Sequence, residues 1–234
     1  MTMKVTPRTL YKMLLKEFGN LKWWPMDQKY HDKFKSDPGF EVIVGAILTQ
    51  NTAWSNVEKA LENLKSNEMV DCKKISKANI KTLQKMVKPS GFFKQKANRL
   101  KNLASYLQNN YDEDLDKFFD RNLKEIRKEL LSLNGIGPET ADSILLYAGN
   151  LPIFVVDAYT KRICKRIPID VNISYEEIQD YFQTELSKTY KKNELTKIYN
   201  ELHALIVILA KTYCKKKPDC NNCPLKNYCK KLLQ

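Results

Sequence analysis

The sequence predicts an all-α protein, on three observations. Apolar residues recur every three or four positions through Val57 to Leu64, Lys96 to Leu107 and Leu195 to Thr212, the period of helices that bury one face. Two-residue alternation is nearly absent: Ile153-Phe154-Val155-Val156 is the one β-leaning stretch, too short to support a sheet. Breakers separate the helical runs at Pro25, Pro38-Gly39, Pro89-Ser90-Gly91, Gly149 to Pro152 and Pro168, and Ser174-Tyr175-Glu176-Glu177 reads as a capping box opening another helix.

A chain of 234 residues can build one large domain or two modest ones around a real core. Its 40 Lys and Arg against 27 Asp and Glu leave +13, the electrostatic footprint of a polyanion binder. Only six of those cations are Arg, so most are Lys point charges, suited to neutralising phosphates more than to reading base edges. A general enrichment in Lys is the alternative source of the charge. No apolar run approaches the ~18 residues of a membrane span and no signal-peptide core opens the chain, so the expectation is a soluble, intracellular protein with no membrane partner.

Leu123, Ile126, Leu130 and Leu133 repeat at helical spacing, and Ala141, Ile144, Leu145 and Ala148 do so again beyond the hinge Gly135-Ile136-Gly137. Glycine there permits positive φ and close approach of another molecule, and the amides opening the second helix form a natural phosphate site. A plain helix–turn–helix with no ligand is the alternative. Beyond the hinge, Asp157 stands just ahead of the amphipathic segment Ala158 to Ile167. A carboxylate so placed is either a simple N-cap or a group kept ionised by the helix N-terminus.

Cys214, Cys220, Cys223 and Cys229 lie in a loop (210–231) too rich in Lys and Pro to fold on its own hydrophobicity. Four thiolates can hold one centre whose binding supplies the missing folding free energy. The centre is a [4Fe–4S] cluster or Zn²⁺; a single Cys-x2-Cys pair, Cys220/Cys223, favours the cluster, since structural zinc usually takes paired knuckles. A disulfide framework fits an intracellular chain poorly, and Cys72 and Cys164 read as buried free thiols.

The hinge of form Leu-x-Gly-Ile-Gly, the Asp on Val155-Val156-Asp157 and the terminal four-cysteine loop together resemble the endonuclease III superfamily of DNA glycosylases, over most of the chain. Gly45-Ala46-Ile47-Leu48-Thr49-Gln50-Asn51-Thr52 is similar to that family's helix-end segment. The family has six residues in its first cysteine gap and this chain five. The resemblance implies a helix-hairpin-helix DNA glycosylase fold in two helical lobes, with damaged double-stranded DNA bound between them by a monomer. A six-helix barrel would span 40–151; the other lobe would combine 1–39 with 152–234 and carry the [4Fe–4S] loop. Gln50 would fill the gap left by an extruded nucleotide. Lys96, Gly135, Gly137 and Thr140, with Lys215, Lys216 and Lys217, would meet DNA.

Bifunctional members of the superfamily have Lys, which attacks the sugar, where this chain has Glu139. The resemblance therefore implies a monofunctional hydrolase without strand cleavage, in which Asp157 activates water and stabilises the charge developing on the sugar. Trp23-Trp24-Pro25, Lys88-Pro89-Ser90-Gly91-Phe92 and Gly-Ile-Gly-x-Glu resemble the endonuclease III-like 3-methyladenine DNA glycosylases. By that match Trp24, Trp54 and Glu139 would form the base pocket, with the two indoles sandwiching a cationic alkylpurine. Glycosylases of the same fold acting on oxidised, deaminated or mismatched bases, and a non-catalytic iron–sulfur DNA-binding protein, are the alternatives. For each Trp, ordinary core packing is a further one.

Overall fold

The computed structural model describes residues 5–169, 171–172 and 174–229. Among them the chain is helical, without a strand. In order the helices are α1 (Pro7–Phe18), α2 (Gln28–Phe34), α3 (Pro38–Leu48), α4 (Trp54–Ser66), α5 (Cys72–Lys77), α6 (Ile80–Val87), α7 (Phe93–Tyr111), α8 (Leu115–Phe119), α9 (Leu123–Ser132), α10 (Pro138–Ser143), α11 (Ala158–Arg166), α12 (Tyr175–Ser187) and α13 (Lys192–Thr212). The three strongly periodic runs fall inside α4, α7 and α13. No helix among the described residues is long and apolar enough to cross a membrane.

Contacts divide the chain into two compact units, Trp24–Leu151 and Met1–Trp23 with Pro152–Gln234. The first holds α2 to α10, with a 3-10 turn at Lys88–Ser90 and a π-helical stretch, Ile144–Ala148, that continues α10; over 40–151, where a six-helix barrel was expected, the described residues form eight α-helices, α3 to α10. The finer division comes from short side-chain caps: Asp27, Asp71, Asn79, Asp114 and Asn122 each accept a backbone N–H in the next helix's first turn, which satisfies orphan donors and starts a helix afresh.

The unit begins at Trp24, not at residue 40, and a buried carboxylate accounts for the difference. Glu41, 2% exposed, meets His31 Nε2 at 2.6 Å and Lys65 Nζ at 2.7 Å and accepts Asp27 N–H at 3.3 Å. Those bonds join the 24–37 segment to α3 and α4. Gly45, midway along α3, lets an indole lie against that helix: a Cβ there would stand 3.0 Å from Trp24 Cζ2.

In the second unit α1 and α11 pack on α13, whose Leu202, Leu205, Ile206 and Leu209 are fully buried. The β-leaning residues Ile153 to Val156 are buried and form no strand among the described residues. Side chains of α12 satisfy their backbone instead: Phe154 N–H donates to Gln183 Oε1 at 2.9 Å and Gln179 Nε2 donates to Phe154 O at 2.7 Å. Phe154 also stacks on Phe182 at 4.6 Å. This anchored stretch leads directly into Asp157. Ser174 caps α12 as the sequence implied, accepting Glu177 N–H at 3.2 Å.

Because His31 and Lys65 converge on one buried carboxylate, Glu41→Ala should lower unfolding free energy by about 3 kcal/mol, the cost of breaking a buried charged pair. A denaturant midpoint unchanged from wild type would contradict this role.

Candidate nucleic-acid interface and carboxylate site

The glycine hinge is a tight hairpin between α9 and α10. Gly135 has φ +83°, Ile136 N–H returns to Leu133 O at 3.1 Å, and Gly137 N-caps α10 ahead of Pro138. The helices are clamped together: Arg127 grips the fully buried Asp142 through two bonds, Nε to Oδ1 at 2.6 Å and Nη2 to Oδ2 at 3.1 Å. Glu139 is exposed in the first turn of α10.

The structure brings Gln50, Gly135 and Thr140 together. Gln50 Nε2 donates to Gly135 O at 3.0 Å and to Thr140 Oγ1 at 2.9 Å, while its Oε1 accepts from Arg99 Nη1. Thr140 is 7% exposed, so its hydroxyl serves the hairpin's interior in this conformation, and Gln50's carboxamide is held within the protein.

Lys96 departs from its expected place on a phosphate. It is 1% exposed, and its Nζ donates to Leu48 O at 2.8 Å and Ser90 O at 2.6 Å. Burial, with Arg99 nearby, lowers its pKa to about 8. Its long stem runs inward because the final carbonyl of α3 and the turn before α7 both lack donors. Lys96 thereby ties the turn that carries Gln50 to the turn that carries Phe92, a side chain 63% exposed at φ +44°. In the sequence Phe92 stands only as the end of the motif Lys88-Pro89-Ser90-Gly91-Phe92, with no role of its own. Its exposure on a left-handed residue is visible only in the fold.

Trp24 and Trp54 do come together, but not as two walls of a slot. Their centroids lie 5.2 Å apart at 85°, edge to face, and Tyr147 packs on Trp24 at 5.2 Å. Rings in that contact leave no gap for a third ring between them, so the expected sandwich does not form here. Trp54 also lines a recess of about 360 Å³ with Met26, Glu41, Glu58 and Lys65.

In the other unit, Asp157 is the N-cap of α11 and more. Its Oδ1 accepts Thr160 N–H at 2.7 Å and Thr160 Oγ1–H at 2.9 Å, and its Oδ2 faces His203 Nε2 at 3.6 Å. Burial at 9% exposure pushes the carboxyl up, but His203 and Thr160 together outweigh it and hold Asp157 below its ordinary pKa. Asp157 is therefore ionised at neutral pH while largely shielded from water. His203, one of two histidines, was missed; a lone His among the apolar residues of α13 reads as core.

Cys214, Cys220, Cys223 and Cys229 line one recess, with Arg166 and Tyr213. Arg166 Nη1 stands 3.0 Å from Cys214 Sγ. Burial and the three neighbouring cysteines raise the Cys223 thiol. Among the described residues no three His, Cys, Asp or Glu side chains stand in metal-holding positions. The donor set nonetheless suits a soft metal centre, since four half-buried cysteine sulfurs lining one recess are the ligands such a centre takes. Lys215, Lys216 and Lys217 are exposed beside it. Cys72 and Cys164 are buried and free, each pushed by burial to a pKa of about 12.

Residues 44–188 match the HhH-GPD superfamily of base excision DNA repair proteins. The chain belongs to that superfamily. A Methanocaldococcus jannaschii protein, whose DNA repair glycosylase name is itself provisional, is 44% identical over 94% of both chains. Endonuclease III of Sulfolobus acidocaldarius is 29% identical over 83% of this chain and 82% of its own. Among solved structures, the Helicobacter pylori 3-methyladenine DNA glycosylase MagIII bound to 1,N6-ethenoadenine aligns with TM-score 0.70 at 29% identity, covering 88% of this chain and 98% of that one. Membership makes this chain a DNA glycosylase of base excision repair, with the hairpin as the superfamily's namesake element.

The carboxylate's environment sets a testable sign. Asp157 is depressed, so its stabilisation is present above an unfolded carboxyl pKa of about 4 and is lost as pH falls through the lower folded value. His203→Leu removes a group that lowers the pKa and leaves the burial. Carboxyl-carbon NMR titration of Asp157 should then move upward in pH; an unmoved titration would show that His203 does not hold the charge.

Proposed function

We propose that the protein is a monofunctional DNA glycosylase that removes alkylated purines, 3-methyladenine and 7-methylguanine, from double-stranded DNA as a monomer. The observation that carries the monofunctional part is Glu139, exposed on the hairpin where a bifunctional enzyme needs a nucleophilic amine. A carboxylate there cannot form a Schiff base with the sugar. Backbone amides around Gly137, whose surroundings are open, would meet a phosphate without reading sequence. Gln50 and the exposed Phe92, on turns joined by Lys96, would work at the duplex itself.

Asp157 supplies the chemistry. Ionised and shielded, it can take a proton from water and oppose the positive charge that grows on the sugar as the glycosidic bond breaks. N3- and N7-alkylated purines are already cationic and leave without strong acid catalysis. The edge-to-face indoles can offer such a base one stacking wall, for a cation–π gain of about 1–2 kcal/mol, so the lesion's own lability must supply most of the selectivity. The likeness to MagIII across nearly all of that chain supports this choice of base.

A [4Fe–4S] cluster on Cys214, Cys220, Cys223 and Cys229 would supply structural rather than hydrolytic chemistry, organising the Lys-rich loop. Anaerobically prepared protein should be brown and contain iron. One zinc and no iron would replace the cluster with Zn²⁺.

Incubation with methylated duplex should release free alkylpurines and leave intact abasic strands that break only on later alkali treatment. Asp157→Asn should slow release about 10³-fold while lesion binding persists. A borohydride-trapped covalent adduct of the wild type with DNA would refute the monofunctional assignment. Efficient release of oxidised pyrimidines with no action on alkylpurines would refute the substrate class.

A further inference from the structure

Gln50's amide is oriented by partners that can each play only one part. Arg99 has donors alone, so it can face only Oε1; Gly135 O is an acceptor alone, so it can face only the amide nitrogen. Arg99 also touches the hairpin directly. A Cβ on Gly135 would stand 2.1 Å from Arg99 Nε and 2.6 Å from its Cδ, so the arginine stem lies flat over the glycine. Three residues earlier on α7, Lys96 fixes the root of the Gln50 turn through Leu48 O. One helix thus holds the turn at its base with a lysine and at its tip with an arginine, and the arginine touches both the tip and the hairpin.

We propose that Arg99 is a positioning residue that couples the hairpin's grip on DNA to the placement of Gln50, so that discrimination between interrupted and intact duplex depends on it. This deepens the glycosylase reading and rests on its assignment of the hairpin and Gln50 to DNA. An arginine that merely neutralised a phosphate would strengthen binding to every duplex equally. A coupling residue acts on the ratio.

The experiment measures Kd for a duplex carrying one tetrahydrofuran abasic analogue and for its undamaged counterpart, at one salt concentration, with wild type, Arg99→Met, Gln50→Ala and the double variant. Thermal melts run alongside. Each single variant should lower the ratio of abasic to undamaged affinity about tenfold, and the double variant should lower it no further, because both changes remove one interaction. Arg99→Lys, which keeps charge and fold, should restore undamaged affinity but recover the ratio only in part. Parallel weakening on both duplexes, or independent losses multiplying in the double variant, would overturn the proposal. Should Arg99→Met fail to fold, an undiminished ratio in Arg99→Lys would overturn it. Failure of the glycosylase reading shows separately, as a wild type that releases no base from any lesion.

Discussion

The positive φ of Gly135 is the constraint on which the hairpin-bearing unit depends. It turns the chain sharply enough for α9 and α10 to lie side by side, where Arg127 and Asp142 clamp them. The missing Cβ lets Arg99 lie across the hinge, and the Gly135 carbonyl receives Gln50. A side chain at this one position would strain the backbone and expel the arginine together. Gly137, with ordinary φ and nothing near its absent Cβ, carries no such double demand.

The other unit solves a different problem, keeping a carboxylate charged out of water. Desolvation alone would raise the pKa of Asp157. Two bonds from Thr160 and the imidazole of His203 outweigh that, and the buried Ile153 to Val156 segment, pinned by two glutamines of α12, delivers the residue to the start of α11. The N-cap and the buried ionised carboxylate are therefore one and the same group here. The capping bonds engage Oδ1 and leave Oδ2 toward His203.

The hinge, Asp157 and the four cysteines were legible in the sequence because each is a local pattern with a local cause: glycine at a turn, a carboxylate before an amphipathic helix, thiols in a loop without a core. What was not legible depends on long-range contact. Lys96 reads as one surface cation among many, and only the convergence of Leu48 O and Ser90 O makes burying it favourable. Arg99 and His203 sit on long helices where periodicity gives a face but no partner. Trp24 and Trp54 touch edge to face where a sandwich was expected, because Gly45 and Tyr147 pack against Trp24, which no spacing rule links to them. Contacts group 24–39 with 40–151 rather than with 152–234, and the bonds to Glu41 that tie it there cannot be read from hydrophobic pattern.

Gly135→Ala compared with Gly137→Ala, by DNA affinity and thermal melting of the same samples, tests the dependence on that hinge most directly. With its φ of +83° and Arg99 overhead, Gly135→Ala should cost about 2 kcal/mol and roughly 5 °C in Tm, and should weaken DNA binding. Gly137→Ala should melt as the wild type does. A Gly135→Ala protein with unchanged Tm and unchanged DNA affinity would contradict the central place given to this glycine.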